Sequence, residues 1–576
     1  MKKQGLAEQE SQKQALKTQR TQDGVGETSG SASALSRRTF LGRAAGVTAV
    51  TLAAEVVGVP TFFGRPGAHA EAAEIGPIGK KKRRKRAYHI RKEAATFQHD
   101  LPLPVHPDNG DEARYPSKLG SYSKALPHNS VGEVDLSAYN ALIHALSTGE
   151  PADFAAIPLG GTARLTSPQA AYAFALEGPD SHHLGMQAPP AFSSAEEAAE
   201  MAELYWQALT RDVPFVEYDT HPLIRQAATD LSTFSAFRGP KVGGVVAPET
   251  LFRGNTPGDL TGPYLSQFLW QDVPYGAILM AQKIRATLPG DDYMVAYADW
   301  LSVQNGAATG SNQFDPTPRY IRNSRDLAEY VHWDFPYQAA LSACLLLLSF
   351  GDDALDAGHP YKHSTTQQGF VTFGGPHILD SVARVTQAAL KAAWYQKWLV
   401  HRRLRPEEFA GRIHNHQTGA ASYPIHAEIL NSDALQGIFD AHGTYLLPMA
   451  YPEGCPTHPA YPSGHASFVG ACVTVLRAFF NEAFVIPNPV IASAAGLALV
   501  PYTGPALTVG GELNKLAINI GFGRDAAGLH WRSDIIEGLK LGEAVALGCL
   551  TDLHATYNED FNGFTLTKFD GTTITI

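Results

Sequence analysis

Three stretches of this chain carry cations, histidines and a helix start at spacings that could hold one oxyanion. The first is Leu390–Pro406, where Lys397, His401 and Arg405 recur four residues apart. On a helix that interval stacks side chains on one ridge, with Trp394 close by. Pro406 breaks a helix, so the spacing predicts that the helix ends there with Arg405 in its last turn. The second is His458-Pro-Ala-Tyr-Pro-Ser463-Gly464-His465, followed by an apolar run to Phe480. A Ser-Gly pair opening a helix leaves free backbone N–H groups, which bind oxyanions. The third is Gly521–Asp534, leading into the apolar-periodic stretch Ile535–Leu553. His530 and Asp534 can share one helical face, and an Asp that accepts from a His ring N–H fixes its tautomer and raises its basicity.

Each stretch also has a plain structural explanation. The first could be a solvated basic face, the second a turn into a core helix, and the third a capped helix start with Asp534 serving the dipole. Together they offer more. Lys397, Arg405 and Arg524 supply three cations, Ser463 a hydroxyl and Gly464 a backbone N–H. One histidine is placed to bond a central atom and another to move protons. A multiply charged tetrahedral oxyanion needs about that many donors when buried.

The pattern Lys397…Arg405-Pro406, Pro462-Ser-Gly-His465 and Arg524…His530…Asp534 resembles the vanadium-dependent haloperoxidase / type-2 phosphatidic acid phosphatase superfamily. Seven residues separate Lys397 from Arg405, and His458 lies seven before His465. Both features resemble the algal and cyanobacterial bromoperoxidases; the fungal chloroperoxidases have a shorter spacing and a Phe in place of that His. Trp394 departs from the red-algal type, which has Arg there, and Gly523 stands where a Ser is usual. Ser123–Asn129 and Val331–Asp334 also resemble that family, so the likeness spans most of the chain.

The resemblance implies an all-α fold, with two four-helix bundles around the anion site. It implies vanadate (V5+) as cofactor and no haem. His530 would be the axial vanadium ligand, and Lys397, Arg405, Ser463, Gly464, His465 and Arg524 would bind the oxyanion. His465 becomes the acid–base group, suited to neutral pH by an imidazole pKa near ~6.5. Lys397 would stabilise the negative charge that develops as halide attacks. His458 would tune the acid–base pair or the halide preference, with Asp534 and Trp394 in support. Asp334 is expected to pair with Arg524, because a buried guanidinium wants a carboxylate. The implied reaction takes hydrogen peroxide and bromide or iodide, with chloride left open, to hypohalous acid, which halogenates small organic substrates. Assembly as a homo-oligomer, from dimer to dodecamer, is implied too. The alternative is a soluble acid phosphatase of the same superfamily, working through a phosphohistidine at His530. Phosphate and vanadate are near-isosteric, so the anion pocket alone does not separate the two. A non-enzymatic anion-binding protein would leave His465 and His530 idle.

Other segments must position or deliver this site. Ser36-Arg-Arg-Thr-Phe-Leu41, the apolar run 44–60 and Ala68-His-Ala70 resemble a twin-arginine export signal. That predicts removal of residues 1–70 and a periplasmic or secreted protein. The apolar run contains Glu55 and is too short for a membrane span. Residues 71–140 read as an N-terminal arm and wrapping segment. Its basic run Lys80–Arg86 is expected to be solvated or inter-subunit, since no aromatic is interleaved for single-strand binding. The net charge of −10 also argues against a nucleic-acid partner. Residues 141–576 read as the helical domain, with the vanadate core at 390–556. Ser194-Ala-Glu-Glu197 is a capping box opening Ala195–Arg211. Leu223–Phe237, Tyr275–Leu288 and Ser324–Phe350 also read as helices, with long loops at 239–262 and 305–322. The 4 cysteines form no CxxC, and Cys472 and Cys549 are expected as buried free thiols. There is no HExxH or EF-hand motif, and Gly521–Gly528 does not make a GxGxxG after a strand.

Overall fold

The computed structural model describes residues 79–576; the twin-arginine reading of residues 1–70 therefore lies outside the described residues. Helices of two turns or more, in chain order, are α1 Lys80–Asp100, α2 Leu136–Thr148, α3 Ala195–Thr210, α4 Pro222–Thr233, α5 Tyr297–Gln304, α6 Ser324–Trp333 and α7 Gln338–Ser349. They continue with α8 Gly375–Tyr395, α9 Pro406–Gln417, α10 Asp433–His442, α11 Gly464–Phe479, α12 Val509–Ala526 and α13 Arg532–His554. The strands form three antiparallel pairs, β1 Val273–Tyr275 with β2 Ile278–Met280, β3 Val490–Ala492 with β4 Leu499–Pro501, and β5 Thr565–Thr567 with β6 Thr573–Thr575. No helix among the described residues is long and apolar enough to cross a membrane. The all-α expectation holds.

Two hydrophobic cores organise the helices. The first lies inside the four-helix bundle α8, α11, α12 and α13, with Val385, Val473, Leu516 and Leu539 among its members. In α11 every residue except His465 is buried, as expected of a helix apolar all round. Each buried Val, Leu or Phe there contributes roughly 1.5–3 kcal/mol over an exposed one. α11 and α13 cross at backbone distance: a Cβ on Gly470 would lie 2.6 Å from the Leu539 carbonyl oxygen, and one on Gly542 still nearer that of Ser467. Only glycine permits that approach, and it sets the two helix starts side by side. There the Ser463 N–H donates to the Asp534 carbonyl at 2.9 Å.

The second core is shared by α3, α4, α9 and α10, through Leu204, Ile224, Phe409 and Ile438. Leu529 and Trp531, on either side of His530, belong to this second core, while Ile535 belongs to the first. The connection from α12 to α13 is therefore the seam between the two cores. The segment after residue 100 wraps against α9: the backbone N–H and hydroxyl of Ser123 both donate to Glu408, each at 2.9 Å.

Three expected elements differ. Tyr275–Leu288 opens as the β1–β2 hairpin, with Tyr275 paired to Ile278 and Val273 to Met280. Gly276 takes φ 62° to make the turn, and Pro274 lacks the N–H a helix would use. Ser324–Phe350 is two helices, because Pro336 disfavours a helical residue before it. The break leaves Asp334 extended (ψ 145°) at the end of α6. Finally, Pro406 starts a helix. The run after α8 widens into a π-helical turn, Gln396–His401, and stops at Arg402 in the left-handed region (φ 40°). Arg405 is extended and caps α9, whose first residue is Pro406. Proline's fixed φ and missing N–H suit that first position. Lys397, His401 and Arg405 therefore do not form one helical ridge.

Candidate active site

Lys397, Arg405 and Arg524 are all buried, and their charges repel one another. The Lys397 ammonium donates to the carbonyl oxygens of Pro459 and Ala460, both at 2.8 Å. Arg405 donates to the carbonyls of His458 (3.0 Å) and Leu529 (2.8 Å). Arg524 donates to the Val331 carbonyl at 2.7 Å, lies over the Tyr451 ring, and leaves its Nε without a partner. Among the described residues, no carboxylate comes within ion-pair distance of these three. The π turn supplies Lys397 and the break after it supplies Arg405; such bulges recur at functional sites.

One histidine tautomer follows from the arginine. A guanidinium can only donate. Arg405 lies 3.1 Å from His530 Nε2, so that nitrogen accepts and the ring proton sits on Nδ1, which donates to Asp534 at 2.8 Å. His530 thus meets Asp534 as expected, although it stands just before α13 and not on its face. Arg405 also lies 3.0 Å from His458 Nδ1, and the same ring nitrogen lies 3.1 Å from the Pro459 carbonyl. Burial, then the nearby cations, hold both rings well below the ordinary histidine range, so both are neutral. The half-buried Trp394 packs on His458 at 4.9 Å, and its indole N–H donates to the Thr166 carbonyl at 3.2 Å.

Ser463 caps α11, its hydroxyl accepting from the Ala466 N–H at 3.3 Å. Gly464 and His465 follow in the first turn, where backbone N–H groups have no intrahelical partner. His465 Nε2 donates to Asp334 at 3.0 Å. The expectation that Asp334 pairs with Arg524 is corrected. The Pro336 break carries Asp334 to His465, and Arg524 takes a backbone carbonyl in its place. Burial lowers His465, opposed by Asp334 and aided by Arg524 and Lys397, so its pKa lies below the value near ~6.5 expected from composition alone.

The sequence reading missed the layer behind His530. Arg403, fully buried, links Asp534 (2.8 Å) to Glu200 (2.9 Å) and Glu197. A signal was present: α3 carries Glu197, Glu200 and Glu203 at every third position on buried turns, which an apolar helix tolerates only with cations opposite.

A family model described as the VCPO second helical-bundle domain matches residues 381–559. The chain is 37% identical over 558 residues to a vanadium-dependent bromoperoxidase of Corallina pilulifera, covering 82% of this chain and 92% of that one. It is 35% identical to that of Ascophyllum nodosum, covering 79% and 87%. Among solved structures, the homohexameric second vanadate-dependent bromoperoxidase of Ascophyllum nodosum superposes with a TM-score of 0.83 at 31% identity, covering 89% of this chain and 94% of that one. The chain belongs to the vanadium-dependent bromoperoxidase family.

Proposed function

We propose that this chain is a vanadate-dependent bromoperoxidase. It uses hydrogen peroxide to oxidise bromide, and the more easily oxidised iodide, to hypohalous acid, which then halogenates small organic molecules. The observation that carries this reading is the set of three buried cations, none ion-paired to a carboxylate among the described residues, around a histidine whose unprotonated nitrogen faces Arg405. Vanadate fits that donor set: it brings the negative charge the cations lack, an acceptor for the unpartnered Nε of Arg524, and an atom for His530 Nε2 to bond. Lys397, Arg405, Arg524, Ser463 and the first N–H groups of α11 would hold its oxygens. When bound, vanadate supplies a Lewis-acidic centre of fixed oxidation state that makes peroxide electrophilic toward halide.

The chain's own groups do the rest. His465 commits Nε2–H to Asp334, which leaves Nδ1 to take and return the proton of incoming peroxide. Lys397 places its charge where negative charge builds up as halide attacks. His458, neutral and pinned between Trp394 and Arg405, holds the wall beside them. The names of the relatives favour this reading over the phosphatase. The test is bromination of a dye by metal-stripped protein before and after orthovanadate is restored. Activity that needs vanadate and is suppressed by excess phosphate is expected. Hydrolysis of a phosphate monoester, inhibited by vanadate and without bromination, would hand the site to a phosphatase. His465→Ala should abolish bromination while vanadate still binds; unchanged turnover would leave His465 without a role.

A homo-oligomer is proposed on the homohexameric relative, to be checked by light scattering. Export by the twin-arginine route is proposed on Arg37-Arg38; a Lys-Lys replacement should keep the protein in the cytoplasm.

A further inference from the structure

We propose that Arg403 is a positioning residue for His530, acting through Asp534 to hold the ring with its vanadium-bonding nitrogen aimed at the cradle. The proposal rests on the vanadate reading above. The side-chain hydrogen bonds of Arg403 go to Ser533, Asp534, Glu197 and Glu200 and not to the cradle side chains. It arises from the turn between Arg402 and Arg405, and its guanidinium ties three segments together. One terminal nitrogen donates to Asp534 Oδ1 and to the Ser533 hydroxyl, both at 2.8 Å. The other donates to Glu200 at 2.9 Å and to Glu197, both on α3. Ser533 closes the loop, its N–H and hydroxyl donating to Glu200 at 2.7 and 2.9 Å. The Trp531 ring lies against the guanidinium, 4.8 Å from ring centre to carbon.

The consequence falls on the Asp534 carboxylate. Its Oδ1 is taken by Arg403, and its Oδ2 receives His530 Nδ1–H at 2.8 Å and the Trp531 N–H at 3.2 Å. With both oxygens engaged, the carboxylate plane cannot turn. The proton stays on Nδ1, and Nε2 keeps its lone pair toward the cradle. Without Arg403 a fully buried carboxylate loses its nearest cation and is free to turn toward Lys397 or Arg405. That turn removes the acceptor that holds the His530 ring.

Two anions of one shape separate this role from simple support of the fold. Vanadate would bond the histidine nitrogen, whereas phosphate in the same cradle would be held by charge and hydrogen bonds. Removing such an outer partner typically weakens metal binding about 10–100-fold. In Arg403→Gln, vanadate affinity of the metal-stripped protein, read by 51V NMR titration, should fall about that much. Phosphate affinity, read by 31P NMR, should change far less. Arg403→Lys keeps the buried charge opposite Glu197 and Glu200 but lacks the fork that reaches Asp534 and Glu200 together. It should show the same selective loss to a smaller degree, and it serves if the Gln variant does not fold. Equal losses for both anions, or no loss for either, would overturn the proposal. A wild-type protein that binds phosphate and not vanadate would instead sink the functional reading itself.

Discussion

Two groups of buried cations lie a few residues apart and are treated in opposite ways. Arg403 and Arg532 face carboxylates: Glu197, Glu200 and Asp534 for the first, Glu203 for the second. Lys397, Arg405 and Arg524 donate to backbone carbonyls and a ring nitrogen, which accept hydrogen bonds but carry no charge, and Arg524 keeps its Nε unpartnered. The electrostatics follow. Burial would lower Arg403, and its three carboxylates more than reverse this. Burial lowers Lys397, and Arg405 lowers it further. A buried charge costs several kcal/mol unless compensated. The Arg403 network is compensated inside the fold and ties α3 to α13. The cradle postpones its compensation until an anion arrives, and that separates a strut from a site.

The comparison predicts opposite responses to removing one cation. Arg532→Met strands Glu203, which is buried beside the also buried Asp525. Losing one partner of a buried pair costs about 3–5 kcal/mol, and denaturant unfolding of the anion-free protein should show a loss of that size. A loss within experimental error would erase the distinction drawn here. Lys397→Met should leave anion-free stability within about 1 kcal/mol, because the repulsion from Arg405 goes with the ammonium and offsets the lost hydrogen bonds. The effect appears on ligand addition. Phosphate or vanadate at a hundred times its Kd should stabilise the wild type by about 2.7 kcal/mol. The variant should need roughly 10–100-fold more anion for the same shift, the worth of one charged hydrogen bond. If Lys397→Met unfolds as easily as Arg532→Met, Lys397 belongs to the strut.

The same contrast explains what the sequence made legible. Cradle residues sit at fixed separations within three short stretches, and a ligand-binding histidine advertises itself by its spacing to Asp534. The helical architecture was readable from apolar periodicity and from caps such as Ser194. The network was hidden, because Arg403 and Glu200 are 203 residues apart and meet only when α3 packs against the start of α13. Partner choice was also hidden. Asp334 could face either Arg524 or His465, and the Pro336 break, visible as a residue but not as a direction, decided for His465. Local breakers show no polarity in the sequence: Pro406 reads as the end of a helix, whereas its fixed φ opens α9 after a π turn that leaves no periodic trace.

His401 belongs to neither group, and it sets a smaller, directional test. It lies in the π turn between Lys397 and Arg403, with its ring edge-on to Tyr461 at 4.7 Å, and neither ring nitrogen has a partner. Burial, followed by Arg402, His106 and Arg403, holds its pKa down to about 3. In the unfolded chain it titrates near ~6.5. Above that pH both states are neutral and the titration contributes nothing. As pH falls from ~6.5, the unfolded chain takes a proton that the folded one refuses. Stability then drops by up to about 1.4 kcal/mol per pH unit until the folded pKa is reached. His401→Phe removes the titration while keeping a ring against Tyr461, so its melting temperature should fall less than the wild type's between pH 7 and pH 4. Carboxylates elsewhere titrate equally in both proteins, so the difference between the two curves isolates the imidazole. Parallel curves would mean that His401 is protonated in the fold. The region between cradle and network would then hold a further cation, and the charge boundary would have to be moved.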